Sequence, residues 1–111
     1  MTQTTTSEMT YANLIGWSDI TPYEIVRRVS AKTVEVRQMN AEIAPNWTPD
    51  VIEGGFAGHT RNNHTQEWVI TPDEAGSVRT IRLHKDGTWR DKYGSRFRLA
   101  AEPVRFYDFN F

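Results

Sequence analysis

Residues 77–99 read SVRTIRLHKDGTWRDKYGSRFRL, and their spacing decides the fold. Apolar and polar side chains alternate with period two, the repeat of an extended strand whose successive side chains point to opposite faces. SVRTIRL (77–83), TWRD (88–91) and RFRLA (96–100) read as three strands. HKDG (84–87) and KYGS (92–95) read as the turns between them, and the Asp86-Gly87 pair suits a tight hairpin whose two central residues take positive φ. With Ile81, Leu83, Trp89, Phe97 and Leu99 turned inward, the same alternation turns Arg82, His84, Arg90, Arg96 and Arg98 outward.

The pattern extends upstream. YEIVRRV (23–29) places Tyr23, Ile25, Arg27 and Val29 on one side, and a short SAKT turn leads to TVEVRQM (33–39), where Val34 and Val36 oppose Glu35 and Arg37. TQEWVIT (65–71) is a further strand, closed by the turn PDEAG (72–76). TYANLIGW (10–17) is too short to assign, and Asp19 to Pro22 reads as a turn. PNWTPDVIEGGFAGHTRNNH (45–64) is irregular, broken by prolines and glycines, with Trp47 and Phe56 as apolar anchors. Short antiparallel strands with no helical repeat predict an all-β fold, a small antiparallel half-open barrel spanning 10–111 as one domain after a flexible polar tail at 1–9. The expected core is Trp68, Ile70, Ile81, Leu83, Trp89, Phe97 and Leu99.

At 111 residues the chain has the length of one domain. It contains no cysteine, which removes disulfides, thiolate metal sites and cysteine nucleophiles together. No apolar run is long enough to span a bilayer, and MTQTTTSEMT (1–10) lacks the basic flank and apolar stretch of a secretory leader, so a cytoplasmic location without a membrane partner is expected. The net charge of −1 is unevenly placed. Residues 1–78 hold five basic and ten acidic side chains, whereas residues 79–111 hold eight basic and four acidic ones.

Two features qualify as candidate sites. The first is the arginine face: Arg82, Arg90, Arg96 and Arg98 with Tyr93 in the adjoining turn, a set able to contact phosphates and stack a base of RNA or single-stranded DNA. Its plainer reading is a solvated strand face, partly neutralised by Glu67, Asp73 and Asp91 on neighbouring strands, and a net charge near zero favours that reading. The second is the terminal run VRFYDFNF (104–111), in which Phe106, Tyr107, Phe109 and Phe111 either close the chain's own barrel or pair with a second copy to give a homo-oligomer. His59, His64 and His84 lack a recognised ligand spacing, so no metal is expected. GGFAG (54–58) is not followed by the Lys-Ser/Thr and helix of a phosphate loop, no catalytic constellation can be assembled, and no cofactor is implied.

SDITPYEIV (18–26), RLHKDGTWR (82–90) and FYDFNF (106–111) together resemble a family of short, functionally uncharacterised proteins of bacteriophages and environmental, often marine, bacteria. The resemblance rests on Ser18, Asp19 and Pro22, on Lys85, Asp86, Gly87 and Trp89, and on Tyr107, Asp108, Phe109 and Phe111. It implies a phage or mobile-element origin and brings no activity with it. The strand layout is similar to Sm-like and SH3-like barrels, which serve RNA binding, peptide binding and assembly alike. The resulting expectation is a non-enzymatic barrel acting through protein contacts or self-assembly, with RNA or single-stranded DNA binding by the arginine face as the alternative.

Overall fold

A computed structural model of the chain describes residues 9–48, 51–52, 59–60 and 63–108. Apart from Met9, the expected N-terminal tail lies outside the described residues, as do the GGFAG segment and the side chain of His59. The strands are β1 (Tyr11–Ile15), β2 (Ile20–Ser30), β3 (Thr33–Gln38), β4 (Asn40–Ile43), β5 (Val51–Ile52), β6 (His59–Thr60), β7 (Trp68–Thr71), β8 (Val78–Leu83), β9 (Trp89–Arg90) and β10 (Arg96–Ala100). A single 3₁₀ turn at Asn63–Thr65 is the only helical element among the described residues.

The expected small all-β barrel forms, and its sheet closes fully. Six antiparallel strands run in the order β1-β10-β9-β8-β3-β2, with β2 returning to β1. TYANLIGW, unassigned in the sequence, supplies the closing strand: β1 pairs with β10 on one side and β2 on the other. Closure leaves little free lateral edge to template unwanted pairing, the exception being the end of β8 beyond the short β9. The Asp19–Pro22 stretch is mostly strand rather than turn. The chain reverses over Gly16–Asp19, held by Gly16 N–H donating to the Asp19 carbonyl at 2.9 Å, and β2 begins at Ile20.

Seven buried side chains fill the interior: Ala12, Tyr23, Val34, Val36, Ile81, Trp89 and Phe97, flanked by Leu14, Ile25, Leu83 and Leu99. The Tyr23 and Phe97 rings meet edge to face, with centroids 5.2 Å apart. That geometry contributes about 0.5–1.5 kcal/mol beyond the area buried. Trp68 and Ile70 are not part of this core. They lie half-buried on β7, which pairs only with β4 in a separate two-stranded sheet. Beside that sheet Met39, Ala44 and Trp47 are buried, so the Trp47 anchor packs as expected, while Phe56 lies outside the described residues.

Irregularities in two hairpins explain where simple alternation fails. β2 shifts register against β3 between Ile25 and Arg27 and again between Arg28 and Ser30. A bulge adds one residue to one strand and increases its twist, which helps a short sheet curl shut. It also reverses the facing of side chains beyond it, so Arg27 sits opposite Glu35 rather than sharing a face with Tyr23 and Ile25. The Asp86-Gly87 turn is likewise not a two-residue loop. His84 N–H donates to the Thr88 carbonyl, Gly87 N–H donates to the His84 carbonyl, and only Gly87 has positive φ, at 85°. Asp91–Ser95 repeats that three-residue arrangement with Gly94 at 84°, so two equivalent loops flank the short β9.

Candidate functional site

β9 is only two residues long, yet it decides the chemistry of the outer surface. In the ladder Arg82 of β8 stands opposite Arg90 of β9, and Arg90 stands opposite Arg96 of β10. Trp89 and Phe97 point inward, so the three arginines project outward side by side on adjacent strands. Adjacent strands are about 4.8 Å apart, which sets a row roughly 10 Å long. Arg98 lies on the same face of β10, one pleat further along. The structure thus brings all four predicted arginines onto one surface.

Their partners divide them. Arg90 is held by its own hairpin: its Nη2 lies 2.8 Å from Asp86 Oδ2, and its Nε donates to Thr88 Oγ1 at 2.8 Å. Hydrogen bonds from the Thr88 hydroxyl and then its backbone N–H keep the Asp86 carboxyl below its ordinary pKa, so the counter-charge persists at neutral pH. Arg82, Arg96 and Arg98 are exposed and make no ion pair or side-chain hydrogen bond among the described residues. The neutralisation expected from Glu67, Asp73 and Asp91 does not reach them. The remaining well-formed pairs lie elsewhere, with Arg37 forked on Glu24 and Arg79 on Asp91. Like charges directly opposite on neighbouring strands are destabilising, so an arginine row with one internal counter-ion is an unbalanced surface.

A cleft of about 520 Å³ opens at one end of this row. Odd-numbered residues of β8 bond to β3, as Leu83 N–H does to the Lys32 carbonyl and the Ser77 carbonyl does with Gln38 N–H. The main-chain groups of Val78 and Thr80 therefore face the other way. β9 stops opposite Arg82, so no strand residue stands across from them. The Asp91–Ser95 loop leaves β8 at that seam, and the opening is lined by Glu35, Val78, Thr80, Arg82, Lys92 and Tyr93.

Asp91 holds the seam together. Its carboxylate is almost wholly buried; Oδ1 accepts from the N–H groups of Tyr93 at 2.9 Å and Ser95 at 3.0 Å, and Oδ2 accepts from Arg79 Nη1 at 3.0 Å. The Arg79 guanidinium also lies 5.3 Å from the Tyr23 ring centroid. Tyr93 is 77 % exposed, with Lys92 Nζ 5.1 Å from its ring centroid. Arg79 was absent from the sequence-derived site, although the alternation itself put it on the inward face with Ile81 and Leu83. Lys92 and Glu35 were missed because only the closed ladder brings them beside β8.

Arg96 and Arg98 line a second groove of about 440 Å³ with Ile15, Thr88 and Leu99. The arginine row therefore joins two concavities. Among the described residues, no three of His, Asp or Glu gather as metal ligands, and His64 and His84 are both exposed.

The aromatic terminus behaves differently from the expected strand. Phe106 makes one bridge with Ile20, each donating its N–H to the other's carbonyl at 2.9 and 3.0 Å, and does not add a barrel strand. Upstream, buried Asn13 accepts from Val104 N–H at 2.8 Å and donates to the Glu102 carbonyl. The Arg105 guanidinium lies over the rings of both Trp68 and Tyr107, 5.2 and 5.7 Å from their centroids. Gln66 bonds both main-chain groups of Tyr107. Residues 102–108 thus strap the outside of the β1–β2 hairpin, while Phe109 and Phe111 lie outside the described residues. Sequence reasoning also missed Trp17, 92 % exposed at the Gly16–Asp19 turn, where it lines a cleft of about 360 Å³ with Tyr107.

Comparison of the chain with protein-family models, curated proteins and solved structures found no match.

Proposed function

We propose that this barrel is a non-enzymatic binding module for single-stranded nucleic acid, which lies across β8, β9 and β10. The observation that carries this reading is the in-register row Arg82–Arg90–Arg96, extended by Arg98, in which, among the described residues, only Arg90 has an acidic partner. A phosphodiester chain supplies the counter-charge that the row lacks, and Tyr93 supplies an aromatic face for a base. A polyanion strung over several strands fits such a row better than a compact anion, because the guanidinium groups spread along a surface rather than converging on one point.

The test is fluorescence anisotropy of a labelled single-stranded oligonucleotide titrated with the protein at several salt concentrations. Each neutralised phosphate contributes a slope of about −0.7 in log K against log salt, so four arginines give a slope of roughly −2 to −3. Arg82→Ala and Arg96→Ala should each make the slope shallower by about 0.7. Absence of binding at low salt, or a slope near zero, overturns the reading.

A second reading, self-association through protein contacts, is favoured by the nearly bare Trp17 ring beside the partly exposed Tyr107. Light scattering of the protein and of Trp17→Ser separates the two. A mass that falls to that of one chain in the variant supports self-association, and a concentration-independent monomer removes it.

A further inference from the structure

We propose that the cleft at the β8 seam reads one base of the bound strand and selects guanine. The inference rests on the nucleic-acid reading above and assigns to it a base preference. Three cations and two carboxylates line the cleft, but their availability differs. Asp91 is saturated by Arg79 and two backbone N–H groups, and Arg79 is committed to Asp91. What remains is Glu35, an acceptor engaged by Arg27 at a long 3.4 Å, in a cleft it shares with the donors of Arg82 and Lys92 and with Thr80, the residue directly opposite it.

That arrangement matches one base better than the others. Guanine presents two adjacent donors, N1–H and N2–H, which a single carboxylate takes together, and two adjacent acceptors, O6 and N7, which suit Arg or Lys. Uracil and thymine offer one donor; adenine and cytosine offer an amino group without a neighbouring N–H. Among the described residues Glu35 is held in cis only by the exposed Arg27, 3.4 Å away, a contact that gives way readily. Register places Glu35 directly opposite Thr80, and Arg82 lies one pleat further along the same face. Tyr93 stands on the rim with one ring face under Lys92 and the other able to stack on the base. The cleft volume of about 520 Å³ suits a nucleotide, and the Asp91–Ser95 loop occupies the space that an added peptide strand would need.

The experiment compares short, otherwise all-thymine single strands carrying G, A, C or T at one central position, bound by the full chain and by Glu35→Gln. Guanine should bind about tenfold more tightly than thymine. Glu35→Gln should reduce that ratio to within about twofold, even though removal of a negative charge tightens binding of every strand. Tyr93→Leu should weaken all four strands together, by about tenfold, through lost stacking. Equal affinity for the four bases overturns the guanine assignment and leaves the arginine row standing, as does a guanine preference that Glu35→Gln fails to reduce. No binding of any strand at low salt overturns both.

Discussion

The Asp91 carboxylate accepts from three donors with almost no contact with water, so its loss strands those donors rather than merely deleting an ion pair. Asp91→Ala should destabilise the barrel by about 2–4 kcal/mol, because the Arg79 guanidinium and two loop N–H groups lose their acceptor together. Asp91→Asn keeps one carbonyl oxygen for the loop and should cost less than half as much, a difference that urea unfolding of the two variants resolves. Gly76 sets a different constraint. A Cβ built there would lie 2.3 Å from the Gln38 carbonyl oxygen, a backbone atom of the same residue whose N–H donates to the Ser77 carbonyl at the β3–β8 junction. Gly76→Ala should therefore destabilise by about 1–3 kcal/mol. Gly16→Ala, whose Cβ would stay 3.2 Å from Asp19 O, should cost less in the same measurement. Neither constraint is legible in PDEAG or RDKYGS by themselves: the first depends on a strand brought in from 38 residues away, the second on Arg79 turning inward from β8.

At the level of the element, the β8–β9–β10 face couples stability to the proposed function in opposite directions. Arg96 stands opposite Arg90, so Arg96→Glu replaces a like-charged neighbour with an opposite one and should raise stability by about 0.2–1 kcal/mol. The same change should abolish most oligonucleotide binding. Urea denaturation and anisotropy on one preparation check both halves, and a variant that loses stability while keeping its affinity contradicts the role given to the row. The facing of these side chains was readable beforehand: alternation from Ile81 to Leu99 put Arg82, Arg90, Arg96 and Arg98 outside and Trp89 and Phe97 inside, as observed. The partners were not readable. Which arginine meets which acid depends on register across strands, and register follows from loop lengths and bulges that residue types specify weakly. The first bulge of β2, between Ile25 and Arg27, turned Arg27 toward Glu35, and the two three-residue loops set Asp86 on Arg90 and Asp91 on Arg79.

For the whole molecule, closure of the barrel brings β1 against β10, far along the chain, and buries Tyr23 among Phe97, Ile81 and Val36. TYANLIGW carries no strong strand signal of its own, and its role follows from filling the gap between β10 and β2, which is a tertiary demand. The same burial makes stability depend on alkaline pH. Tyr23 has its pKa raised above the ordinary value near 10, first by burial, with the Arg79 charge opposing and the Asp91 charge adding to the rise. For a hydroxyl whose pKa is higher in the folded than in the unfolded state, the unfolded chain releases its proton first. The stabilisation is then fully present below the unfolded value and is lost as pH rises from about 10 toward the folded value. Urea midpoints measured from pH 8 to 11 should fall at the alkaline end, and Tyr23→Phe, which keeps the ring against Phe97 but has no proton to lose, should fall less steeply. Parallel declines in the two proteins would place the alkaline sensitivity outside the barrel interior.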